Sequence, residues 1–208
     1  VPGTPQEQGA MKPWKYALQR LYRDQPKDFV VDAVPALLGW LPKVTKIPDP
    51  PYSFDAVIVR EPGGEEVHGR LELTWTFDAL AKHDGDLRAR VRRHESGRTV
   101  LREQTTEYAG YALAMVAVSL FLPGSRVVGI NRYQAPDILL DATPGALRGV
   151  EVAARARGGR GQLRSLRLGS PKEPGKASGL IARMDVAEAH LSLWCGSPAA
   201  TEFVKVKP

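Results

Sequence analysis

Two carboxylates, Asp137 and Glu151, stand 14 residues apart in short segments rich in aliphatic residues, PDILLDA (136–142) and LRGVEVAARAR (147–157). Side chains on a strand alternate between faces. Asp137 therefore shares a face with Leu139 and Asp141, and Glu151 shares one with Ala153, Arg155 and Arg157. If the two strands are neighbours and both acids point to one side, the pair can hold a hard divalent cation. Such an ion takes oxygen ligands and keeps several waters. A cation held there activates water and neutralises charge developing on a phosphodiester. Glu107, near the start of an apolar helical segment, is a candidate third oxygen donor, and Arg155 or Arg157 can grip a phosphate as a bidentate fork. Each residue also has an ordinary explanation. Asp137 suits a strand-entry turn, Glu151 suits a solvent-facing strand acid paired with arginine, and Glu107 suits an acid favoured by the helix dipole. Their joint occurrence, in this order, is what favours chemistry.

These residues need a helix followed by three strands to position them. The stretch from Thr105 to Gly124 is apolar on nearly all sides, which predicts a central core helix. Thr105 or Thr106 is its expected cap, and Pro123-Gly124 its end. SRVVGINR (125–132), PDILLDA and LRGVEVAARAR then predict three short strands. The turn TPGALR joins the last two, so antiparallel pairing is expected. Residues 158–179, rich in Gly, Ser and Arg, predict a mobile linker. A helix over 180–189, a strand at HLSLWCG (190–196) and a last edge strand at ATEFVKVKP follow.

The order of an acid opening a buried helix, a strand, a Pro-Asp strand and a valine-flanked Glu strand resembles the core of the restriction-endonuclease-like, or PD-(D/E)XK, superfamily. The resemblance covers about 90 residues, from Thr105 to Cys195. It implies a central mixed sheet flanked by helices, in an α+β or α/β protein. It also implies magnesium or manganese bound by Asp137 and Glu151, catalysis by Asp137 and Glu151 with Glu107 and Arg155 assisting, and hydrolysis of nucleic acid. The family's lysine, two positions after the second acid, is here Ala153. Three readings follow. The lysine's role has moved to Arg155, Lys172 or Lys176, or the site works without it, or the fold survives as a binding or assembly module, for example in a defence or mobile-element system.

Upstream, residues 1–10 are polar and Pro/Gly-rich and read as a tag remnant or disordered tail, with the natural chain expected from Met11. Residues 11–104 read as an N-terminal extension ahead of a core over 105–208. Trp14, Leu18 and Leu21 recur at helical spacing, which predicts a helix over 12–24. An apolar segment over 29–42 is interrupted by Pro35 and ended by Pro42. FDAVIVRE (54–61) and GRLELTWTFDAL (69–80) predict a hairpin, either within the extension or on the edge of the later sheet. Residues 82–97 suit a hairpin strand or an exposed helix.

A chain of 208 residues, 43% hydrophobic, can bury a substantial core. Its longest apolar run, Tyr108–Leu122, is 15 residues, short of the roughly 20 that a membrane span needs. One cysteine excludes an internal disulfide and fits a reducing, cytoplasmic location. Between Gly145 and Arg183 nine Lys/Arg face two Glu, so this stretch carries more positive charge than the whole chain's net +6. Arg157, Arg160, Arg164, Arg167, Lys172 and Lys176 are therefore the expected nucleic-acid contacts. The competing readings are a solvated surface loop, or an α+β interaction domain whose basic loop meets an acidic protein partner. GSPKEPGKA (169–177) fails as a phosphate-binding loop, with five residues between its glycines and Ala177 where Ser or Thr is needed.

Overall fold

The computed structural model describes residues 13–97, 100–131, 134–170 and 172–208. The tail over 1–10, Met11, and Arg132 at the end of SRVVGINR lie outside them. Strand alternation builds the sheet. In β3 (Val67–Thr74), Gly69, Leu71 and Leu73 are buried, while Arg70 and Thr74 are exposed. In β7 (Val186–Gly196) and β8 (Ala199–Lys207) both faces are buried, as expected for strands at the centre of a covered sheet.

With β1 (Trp14–Ala17), β2 (Tyr52–Val59), β4 (Gly129–Ile130), β5 (Ile138–Asp141) and β6 (Leu147–Arg155), these form one mixed sheet of eight strands in the order β1-β3-β2-β8-β7-β6-β5-β4. The run β4-β5-β6 is antiparallel, β6 and β7 are parallel, and β7 and β8 are antiparallel. On one face α2 (Lys27–Thr45) and α5 (Arg102–Phe121) pack over the larger apolar cluster, with α4 (Leu87–Ser96) against α2. On the other, α6 (Gly159–Leu168) and α7 (Lys176–Ala182) cover a smaller cluster around Leu191 and Leu193. Two short helices, α1 (Leu21–Asp24) and α3 (Phe77–Ala81), complete an α+β protein with a central mixed sheet flanked by helices. Among the described residues no helix is long and apolar enough to cross a membrane.

The N-terminal segment belongs to this sheet. β2 pairs with β8, so the expected extension and core share one ladder, and β8 is central rather than an edge. The helix expected over 12–24 is instead a strand, a 3-10 turn and one helical turn. Pairing of Trp14–Ala17 with Leu71–Thr74 outweighs the helical spacing. α2 runs through both Pro35 and Pro42 because its residues from Ala33 to Leu41 are buried on all sides. Residues 87–96 resolve to a helix. The expected mobile linker is largely α6 and α7, and the helix expected over 180–189 gives way to β7 after Ala182. α5 begins one turn earlier than expected. Thr105 and Thr106 lie inside it, bonding back to the carbonyls of Leu101 and Arg102.

Candidate functional site

Asp137 sits just before β5, where Pro136 presses against β6. The contact depends on Gly149. A Cβ there would lie 2.4 Å from the Ile138 carbonyl oxygen and 2.5 Å from Pro136. That approach lets Asp137 Oδ2 accept a 2.7 Å hydrogen bond from the Val152 N–H. α5 crosses β6 closely at Gly110, where a Cβ would meet Ala154 and Val152 at 3.1 and 3.2 Å. Val152 and Ala154 therefore face α5, and Glu151, offset by one residue, points to the opposite face. There the Lys176 ammonium donates to Glu151 Oε1. A lysine in a helix's first turn opposes the macrodipole, so Glu151, rather than the helix, accounts for its position.

Glu151 is 8% exposed, and its Oε2 has no hydrogen-bond partner among the described residues. The Asp137 carboxyl is pushed up to about 7. Burial is the main cause, followed by the Glu151 charge, while the Val152 N–H and Lys176 pull the other way. Asp137 therefore keeps its proton further towards neutral pH than an ordinary carboxyl does.

From α5, the Tyr111 hydroxyl donates to Glu107 Oε1 at 2.7 Å. Burial, this bond and the Asp137 charge push the phenol well above its ordinary range. Glu107, Tyr111, Asp137, Arg155, Lys176 and Arg102 line a cleft of about 540 Å³. Glu151 is not among its lining residues. The structure thus brings Asp137 and Glu151 together, and sets Glu107, bonded to Tyr111, in the same cleft as Asp137. Among the described residues no three acidic, His or Cys side chains form a metal-binding group.

The basic residues diverge. Arg155 lines the cleft, and Arg157, Arg164 and Lys172 are exposed. Arg160 meets the His68 ring at 2.9 Å. Arg167 is 8% exposed and paired with Glu66 at 2.7 Å and Glu202 at 3.3 Å, so it braces α6 against the sheet instead of presenting charge outward. Tyr111 and Arg102 were not picked out by sequence. The Glu107–Tyr111 spacing of one helical turn is the signal that could have found the first.

The donor chemistry of Asp137 and Glu151 fits a hard cation. The two carboxylates repel each other, and one buried oxygen, Glu151 Oε2, has no hydrogen-bond partner among the described residues. No protein-family model matches the chain, and neither a curated protein nor a solved structure matches it significantly.

Proposed function

We propose that this protein hydrolyses phosphodiester bonds of nucleic acid, with magnesium or manganese held by Asp137 and Glu151. The observation that carries this reading is Lys176. Its ammonium lies on Glu151, the acid whose tripeptide has Ala153 in the lysine position. The helix, three antiparallel strands, two helices and parallel strand from α5 to β7 also accord with a restriction-endonuclease-like core. The metal, when bound, supplies a Lewis acid and a more acidic water. The Val152 N–H orients Asp137. Lys176 is placed to hold or position the attacking water beside Glu151. Arg155 and Arg102 line the cleft as phosphate ligands, and Tyr111 fixes Glu107 at its rim.

Two observations favour a second reading, a nucleic-acid-binding module that does not cut. Glu151 already has a counterion, and no third carboxylate joins the pair among the described residues. A cleavage assay separates the two, using labelled single- and double-stranded DNA and RNA with magnesium, manganese or EDTA. Metal-dependent cutting lost in Asp137→Ala and Glu151→Ala, and strongly reduced in Lys176→Met, is the expected result. Absence of cutting with retained binding supports the module. Cutting that survives both carboxylate substitutions rules out this site.

A further inference from the structure

The cleft beside Asp137 does not stop at α5. Arg102, Thr106 and Ala156 line it and also line a second cleft of about 630 Å³. This second cleft is walled by the C-terminal turns of α2 and α4 and the first turns of α5. Lys43, Lys46 and Arg102 are exposed along it, and Glu95 is the sole carboxylate among its described lining residues. Lys43 Nζ is tied to the Glu95 carbonyl at 2.6 Å, which fixes one cation on the wall. Its apolar side is Gly39, Trp40 and Val44. Trp40 is 4% exposed, and its indole N–H finds no acceptor among the described residues. A concave site with three cations, one acid and an apolar side suits a phosphate joined to a sugar or base. None of these three cations lies in the basic stretch between Gly145 and Arg183.

We propose that this second cleft binds the nucleotide adjoining the phosphodiester held at Asp137 and Glu151. Lys46 and Arg102 take its phosphate, and Trp40 and Val44 take its sugar or base. The bound strand then runs from the acidic pair across the start of α5 to the end of α2. This rests on the nuclease reading and gives its substrate a path.

The test is fluorescence anisotropy of a labelled single-stranded oligothymidylate in EDTA across a salt series. The proteins are wild type, Lys46→Gly and Lys46→Gly/Arg102→Gln. Lys46 has φ 63°, which glycine adopts without strain, so Lys46→Gly keeps the end of α2. Each lost phosphate contact lowers the log–log salt slope by about 0.7 on a single strand. The double variant, which removes both ligands of that phosphate, is expected to lose about 0.7, with affinity at low salt down about tenfold or more, and Lys46→Gly is expected to lose part of both. A wild type that binds, with Lys46→Gly and Lys46→Gly/Arg102→Gln equal to it in affinity and slope, overturns the second cleft and leaves the nuclease reading standing. A wild type that does not bind at low salt overturns both.

Discussion

Replacing Lys176 by Met should destabilise the protein in a way that depends on pH. Removing one partner of a buried ion pair costs roughly 3–5 kcal/mol. The Lys176 side chain is 33% exposed and Glu151 10%, so solvent screening reduces the expectation to about 1–3 kcal/mol. Asp137 can also recover part of this loss by keeping its proton. In the wild type the Asp137 carboxyl is raised from 3.8 to about 7. Between those values the folded chain holds a proton that the unfolded chain has released. Its contribution to stability therefore falls as pH rises through that window, by at most about 1.4 kcal/mol per pH unit, and levels off above about 7. Without the Lys176 charge the proton is held to higher pH, and the decline continues. Urea unfolding of both proteins should show a small difference near pH 5 that widens towards pH 8, and Glu151→Gln added to Lys176→Met should remove most of it. A difference that is flat across pH, or unaffected by Glu151→Gln, would refute the assignment of Lys176 as the counterion of this pair.

Gly149→Ala should cost about 2 kcal/mol or more by overpacking, read as a lowered urea midpoint, because its Cβ would meet the Ile138 carbonyl and Pro136. Arg167→Met should cost roughly 3 kcal/mol by leaving the buried Glu202 unpaired, and should leave the salt slope of nucleic-acid binding unchanged. Gln25→Ala should cost about 1–3 kcal/mol in the same unfolding assay. Gln25 bonds Ser119 and the Ser125 carbonyl and accepts from the buried Val127 N–H, so its loss leaves that N–H unpaired.

The stretch around the site was readable because its constraints are local. The apolar run of α5, the short strands and the turn before Leu147 each follow from composition and period, and adjacency of β5 and β6 follows from the short turn between them. Lys176 was one of three candidates for the displaced cation. Sequence could not choose among them, because the choice depends on where α7 docks after 25 residues of chain. The N-terminal part was harder. Trp14, Leu18 and Leu21 are all buried or half-buried, but in a strand and two short turns, a pattern that helical spacing mimics. Pairing of β2 with β8 joins residues about 145 apart, and nothing local announces it. Arg167 looked like its exposed neighbours because burial beside Glu66 and Glu202 is a tertiary property. Glu107 was correctly placed near the start of a buried helix, yet the alternation of β6 puts that helix on the face away from Glu151.

The most direct test of the acidic pair is manganese binding by electron paramagnetic resonance, with wild type and Asp137→Asn titrated at pH 8 and pH 6. The expected result is a single saturable manganese per chain at pH 8, weakened at pH 6 as the Asp137 carboxyl takes up its proton, and lost in Asp137→Asn. Binding that is absent in the wild type, or the same in Asp137→Asn, contradicts a metal site at Asp137 and Glu151.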